Sequence, residues 1–367
     1  IEELVKKASD NTNRVNVIEK AVTLSNTING FGNQIVDSIR DMNFTIKSKV
    51  NQVNALASQI TDLNKQIFNM ELDGSKANAL RDQRSTLVDE LSQIVNITVN
   101  ENTGDGGAKY FNIKIGGISL VNHYQVNKLT IDNSADIDIE KFGTGEISQI
   151  KWAGVDGSPL EEVKIESGEL KGLLDLRDGT GENNTYRGLP YYLEQLNRFS
   201  RDFAREFNLQ HQAGVDLNGD AGINFFDEPD GDWESINCLN FKVSDTIKNN
   251  PTLLAAAGDG SGESDNINAK LLSEFRSKKD IFYDASMSTK IKGTPDDFLK
   301  AILSVLSVDG NQANRMTANT ESIVEQTKNQ RLSESGVSLD EEMANMVKFQ
   351  HAYNASARMI TTLDNIM

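Results

Sequence analysis

Residues 18–70 read IEKAVTLSNTINGFGNQIVDSIRDMNFTIKSKVNQVNALASQITDLNKQIFNM, and this stretch decides the class of fold. Apolar or small residues recur in alternating steps of three and four at Ile18, Ala21, Ser25, Ile28, Gly32, Ile35, Ile39, Met42 and Ile46. After one lapse at Lys49 the pattern resumes at Val53, Leu56, Ile60, Leu63, Ile67 and Met70. A seven-residue repeat keeps one apolar seam on one side of a helix, and such a seam needs a partner. One helix over these residues is about 80 Å long at ~1.5 Å per residue. The interleaved Asn, Gln, Lys and Asp suit a solvated outer face. Gly30 and Gly32 each weaken the helix by roughly 1 kcal/mol relative to alanine, so this is where a bend is expected.

Working outward, Asp73-Gly74-Ser75 breaks the helix, and Leu80, Leu87, Leu91 and Ile94 mark a second one that runs back antiparallel. Residues 191–212 predict another, with Leu193, Leu196, Phe199, Phe203 and Phe207 as its buried stripe. Thr294-Pro295-Asp296-Asp297 is a helix start: a capping hydroxyl, proline in the first turn, then acids favoured by the dipole. Ser338 and Glu341 form a capping box ahead of the last helix. That helix carries Leu339, Met343, Met346, Tyr353, Ala357, Ile360 and Met367 on one seam, interrupted at Gln350 and Asp364. In the middle, residues 110–115 and 118–122 alternate around Gly116-Gly117 as a β-hairpin. Residues 147–152 and 162–165 look like further strands. Residues 216–293 mix short strands, acidic turns and one helix near 267–275.

The expected fold is α+β: a long-helix bundle made from both chain ends, a β-hairpin and β-rich middle, and a small inserted outer domain. Residues 1–95, 166–213 and 293–367 form the helical, axial part. Residues 96–165 form the β-rich segment, and 214–292 a small α/β outer domain. The helical segments at the two ends are expected to pack together, because each carries an apolar stripe too exposed to stand alone.

The 367 residues carry a formal charge of −17, which repels phosphate backbones and anionic lipid and so argues against nucleic acid and membrane as partners. One cysteine, Cys238, allows no internal disulfide. The first residue is Ile1 and no leader follows, so a chain trimmed at its N-terminus is expected.

A search for chemistry finds little. His123, His211 and His351 lie far apart, without the spacing of a zinc hydrolase. Cys238, between Ile236 and Leu239 with Asn237 intervening, reads as a small core residue. There is no nucleophile elbow and no phosphate loop. The acidic stretch from Gly258 to Glu263 reads as a surface turn. Asp216, Asn218 and Asp220, followed by Asp227 and Glu228, resemble the start of a calcium loop. Yet the sixth position is Ala221 and the twelfth is Asp227 rather than glutamate, so a polar turn is the better reading. No catalytic residue, cofactor or metal is assigned.

Three stretches resemble the flagellar hook-associated protein 1 family (FlgK). Residues 80–84 (LRDQR) and 87–92 (LVDELS) are similar to one of the family's helices. Residues 203–208 (FAREFN), then 210–214 (QHQAG), with Asp220 and Phe225-Phe226-Asp227, match a second block. Residues 335–342 (SGVSLDEE) and 349–358 (FQHAYNASAR) are similar to its C-terminal segment, which hook, rod and flagellin-type proteins share more loosely.

The resemblance implies an axial, non-enzymatic subunit joining hook to filament, extracellular and exported by the flagellar type III apparatus without a cleaved signal peptide. Its implied partners are the hook protein, the second hook–filament junction protein, like subunits in a ring and an export chaperone. It also implies a pairing N-terminal helix before Ile1, a further C-terminal tail, and a reduced outer domain. Leu339, Met343, Met346, Tyr353, Ala357 and Ile360 are the candidate assembly residues. A reading from another class is an acidic calcium-dependent surface-binding module or adhesin using the Asp216 turn.

Overall fold

A computed structural model describes the whole chain except residues 73–75, 104–108, 134–141, 146, 183–184, 259–264, 280, 283–292, 336–338 and 365–367. The expected break at 73–75, the turn at 259–263 and Ser338 of the second capping box lie outside the described residues. The chain divides into two compact units, Ile1–Ile302 and Leu303–Met367.

The first unit opens with α1 (Glu2–Lys6), α2 (Asn11–Glu71) and α3 (Asn78–Ile94). Asp10 caps α2 by accepting from Thr12 N–H at 2.9 Å, and the helix then continues for 61 residues, about 90 Å. Four strands follow in order: β1 (Thr98–Thr103), β2 (Lys109–Ile115), β3 (Ile118–Asn122) and β4 (Gln125–Val126). The second sheet is β5 (Leu129–Asp132), β6 (Gln149–Ala153) and β7 (Pro159–Glu162), and both sheets are antiparallel. α4 (Glu169–Asp178) and α5 (Leu189–Gln212) return the chain to helix. The outer region contributes α6 (Asp245–Asn249) and α7 (Ile267–Glu274).

The expected hairpin is present. Ile115 pairs with Ile118 across Gly116 and Gly117, both at positive φ, as a two-residue turn requires. Other expectations need correction. The strand placed at 162–165 is Pro159–Glu162, all four residues exposed, so it had no alternation to read. Val163 and Ile165 were the visible apolar residues, but Val163 is buried just past the strand's end. Between 216 and 293 the described residues hold isolated bridges and single turns of 3-10 helix instead of regular strands. Gly32 marks a contact on a continuous helix: a Cβ there would lie 2.6 Å from Cys238 Sγ.

The two larger apolar clusters share α2. Its first half, including Ile18, Ile28 and Val36, packs against the α5 stripe and a group of phenylalanines: Phe199, Phe207, Phe225, Phe226, Phe241, Phe275, Phe282 and Phe298. Its second half, including Ile46, Val53 and Ile60, packs against α3 and the inner faces of both sheets through Leu91, Ile113, Val121, Ile150 and Trp152. At roughly 1.5–3 kcal/mol for each fully buried side chain, these seams hold the unit together. α3 runs antiparallel to α2, since Arg81 reaches Glu71 while Arg84 reaches back to Asn64.

Asparagines tie this core to the chain crossing it, and they correct the reading of the Asn-rich face of α2 as wholly solvated. Asn54 grips Leu129, donating to its carbonyl and accepting from its N–H, both at 2.8 Å. Asn43 accepts from Ser148 N–H at 3.1 Å and from Arg177 at 2.8 Å. Asn64 donates to the His123 carbonyl at 2.9 Å. On α5, Asn208 accepts from the N–H groups of Phe225 and Phe226 at 2.9 and 2.8 Å and donates to the Phe226 carbonyl at 2.9 Å. Each amide stands in for a missing strand neighbour, so buried backbone is satisfied where no sheet continues.

α8 (Pro295–Ser335) and α9 (Leu339–Asp364) complete the elements. α8 starts as expected. Thr294 Oγ1 accepts from Asp297 N–H at 3.2 Å, and Asp297 accepts from Thr294 N–H at 3.1 Å, a reciprocal cap. Its first turns belong to the first unit, where Phe298 stacks 4.3 Å from Phe282 and Leu299 and Ile302 join the same cluster. The architecture is α+β, with long helices at both ends of the chain and small antiparallel sheets between.

Candidate assembly surface

The described residues of the second unit are all helical: α8 from Leu303 onward, and α9. On α9, Leu339, Met343, Met346, Tyr353, Ala357 and Ile360 are all exposed, Leu339 at 85% and Tyr353 at 76%. Helical geometry places them on one face. Phe349 and Val347, also exposed, flank that face and widen the apolar arc to about 160°, beyond the narrow stripe of a two-helix seam. α8 repeats the feature with Leu306, Ala313, Met316, Thr320, Ile323 and Thr327. The motif reading passed over this second stripe. Its threonines and alanine dilute the apolar signal, although the steps of three, four and seven were there to be found.

The first unit shows what its polar groups are used for. Asp216 is buried, and its carboxylate accepts from the N–H groups of Asn218 and Asp220 at 2.7 and 3.0 Å and from the Asn218 amide at 3.1 Å. Its oxygens therefore close a turn. Among the described residues no group of three or more His, Cys, Asp or Glu is placed to hold a metal ion. Cys238 is fully buried, and burial pushes its thiol up to about 12, the reverse of an activated nucleophile.

His211 is also buried. Its Nε2 accepts from Ala255 N–H at 2.9 Å, so the proton sits on Nδ1 and is donated to the Ile223 carbonyl at 2.6 Å. Burial holds its pKa down to about 4. Buried Arg14 draws the same loops onto the start of α2, donating to the carbonyls of Ala8 at 2.8 Å and Thr252 at 3.3 Å. At the far end of α2, Arg81 bridges Glu71 and Glu101 at 2.7 and 2.9 Å, and Arg84 meets Glu101 at 3.1 Å. The hydrogen bonds from Arg81 hold the Glu71 carboxyl down to about 2. These polar groups fasten one element to another.

Long helices with apolar faces on display, in a chain whose polar ties serve its own loops, point to an assembly protein. Comparison with known proteins gives the family. The model described as the flagellar hook-associated protein FlgK helical domain matches residues 1–226, and the chain belongs to that family. Residues 328–367 match the C-terminal segment of the flagellar basal body rod FlgEFG proteins.

Among curated relatives, flagellar hook-associated protein 1 of Bacillus subtilis (strain 168) is 28% identical over 376 residues, covering 100% of this chain and 73% of that protein. The protein of the same name from Escherichia coli (strain K12) is 28% identical over 455 residues, covering 100% and 77%. That alignment is longer than the 367-residue chain, so the E. coli relative carries insertions that this chain lacks. The solved structure of the flagellar hook junction protein FlgK from Burkholderia pseudomallei matches at 27% identity and a TM-score of 0.51, over 62% of this chain and 38% of that one.

Proposed function

We propose that this chain is a structural subunit of the bacterial flagellum that joins hook to filament and acts by packing alone. The match of the FlgK helical domain over residues 1–226 carries the reading. The exposed seams of α8 and α9 supply the physical means, because apolar faces of this width are stable in water only when covered. Residues 1–95, 166–213 and 293–367 serve as the axial part, 96–165 as the β-rich segment and 214–292 as the small outer domain. Leu339, Met343, Met346, Tyr353, Ala357 and Ile360 contact neighbouring subunits. Those neighbours are the hook protein, like subunits in a ring and the second junction protein, with an export chaperone holding the chain before assembly. The site of action is extracellular, after export through the flagellar type III apparatus. No helix among the described residues is long and apolar enough to cross a membrane. The calcium-dependent adhesin reading gains no support from the turn on which it rested, since the Asp216 oxygens are engaged within it.

The test is a deletion in the parent organism. Cells should assemble hooks, lose swimming and release filament protein into the medium, and the full-length gene should restore all three. Swimming cells with attached filaments would refute the proposal.

A further inference from the structure

One buried histidine has a ring that takes part in neither the packing seams nor the polar ties. His123 and Tyr124 are the two residues between Asn122 and Gln125, which pair to close the β3–β4 turn. His123 has φ +53°, uncommon for any residue with a side chain. Its ring is held by other rings, with centroids 3.7 Å from Tyr124, 4.7 Å from Tyr110 and 5.9 Å from Phe68. The residue is only 8% exposed, and neither ring nitrogen has a hydrogen-bond partner, nor does the Tyr124 hydroxyl. The backbone is tied on both sides: the His123 N–H donates to the Phe111 carbonyl at 3.0 Å, and the His123 carbonyl accepts from Asn64 at 2.9 Å. The site therefore fixes the ring by packing and offers an imidazolium no acceptor.

We propose that His123 is an acid-released clasp: the neutral imidazole closes the ring cluster over the end of the four-stranded sheet, and its protonation opens the β3–β4 turn. Every element packed on the ring favours the neutral form. α2 brings only Phe68 and Asn64, both uncharged. α3 brings Arg84, a cation that opposes a second one. β2 and the turn itself bring Tyr110 and Tyr124. Glu101 of β1, the carboxylate beside Arg84, is bound to Arg84 and Arg81. Burial, then Arg84, hold the His123 pKa below its ordinary value. The ring faces do attract a cation, but that attraction does not replace the hydrogen bonds that both N–H groups would leave behind in water. Glu71 and Glu101 are held below the usual carboxylate range, and burial raises the Tyr124 hydroxyl. Between pH 7.5 and 5 none of these three changes charge, so none of them accounts for a transition at the turn in that window.

This inference is independent of the flagellar reading, and its test uses the whole chain. NMR follows the imidazole signals, and hydrogen exchange follows the amides of His123, which bonds to Phe111 of β2, and Asn127, which bonds to Leu120 of β3. The His123 ring should titrate below about 6.5. Protection of those amides, corrected for intrinsic exchange, should fall by about tenfold or more from pH 7.5 to 5. His123→Phe keeps a ring, and His123→Asn suits the left-handed backbone if the first variant does not fold. In either, the fall should shrink to the part that His211 contributes, which is common to all three chains. Titration at or above the ordinary value would mean that the rings hold the cation, and would overturn the clasp. So would an equal loss of protection in the variants.

Discussion

α2 and α9 carry the same kind of seven-residue apolar repeat, and the fold treats the two in opposite ways. On α2 the seam from Ile18 to Ile67 is buried against helices, sheets and phenylalanines, with Ile39, Ile46 and Ile60 at 0% exposure. On α9 the seam from Leu339 to Ile360 is exposed, as Leu339, Met343, Met346, Tyr353, Ala357 and Ile360 all show. Periodicity reports that a helix has a partner; it does not report whether that partner lies within the chain. α2 finds its partners because α3, the sheets and α5 all return to it in sequence. The difference is therefore one between a covered face and an exposed one, and substitution can test whether the exposed one serves assembly.

The largest effect is expected at Ile60. Ile60→Asp places an unpaired charge in the sheet-side cluster, at a cost of about 4 kcal/mol or more. Thermal melting should fall by about 10 °C, and a melt within 1–2 °C of wild type would refute the core role given to the α2 seam.

Acid gives the next largest effect, at His211. Its pKa is about 4 in the folded chain and about 6.5 unfolded. The unfolded state therefore binds the extra proton between those values, and stability falls as the pH falls. The contribution is complete above about pH 6.5 and has dropped by about 3 kcal/mol at pH 4. Urea unfolding from pH 7.5 to 4 should show this slope, and His211→Gln should remove most of it. A slope unchanged in the variant would assign it to His123 and the carboxylates.

Much of the fold was legible because its signals are local. The α2 repeat, the Gly116-Gly117 hairpin and the Thr294 cap each follow from residues a few positions apart. The tie points were not legible, because they join residues far apart in the chain. Asn54 is paired with Leu129, and Asn208 with Phe225 and Phe226. In sequence an asparagine that faces solvent and one that replaces a strand neighbour look alike. The outer region failed for a related reason: its bridges are single pairs, too short for alternation to register. The α9 seam was legible as a seam, but nothing in it names its partner.

A smaller effect separates two glycines one turn-fraction apart on α2. A Cβ at Gly30 meets nothing within 4 Å, so Gly30→Ala should stabilise by about 0.5–1 kcal/mol through helix propensity alone. At Gly32 the new methyl would sit 2.6 Å from Cys238 Sγ and 3.0 Å from Leu239 Cδ2, and overpacking of about 1–3 kcal/mol should cancel or exceed that gain. Paired melts of the two variants measure the difference. If Gly32→Ala stabilised as much as Gly30→Ala, the Cys238 loop would not be seated against α2.

The smallest effect on stability is expected at Ile360, where the consequence for function is greatest. Ile360 is 67% exposed on α9, so Ile360→Asp removes little buried area and places the new charge in water. The melt should move by less than about 1 °C, as for an ordinary surface substitution. Under the assembly reading the same residue is covered once subunits pack, and the carboxylate would then be desolvated without a partner. Cells carrying the full-length variant should therefore fail to swim although the subunit is folded and exported. A large drop in melting temperature would show that the seam is internal core. A normal melt with normal swimming would show that α9 makes its contacts through another face, and Phe349→Asp, on the flank of the seam, would then be the substitution that separates packing from solvent.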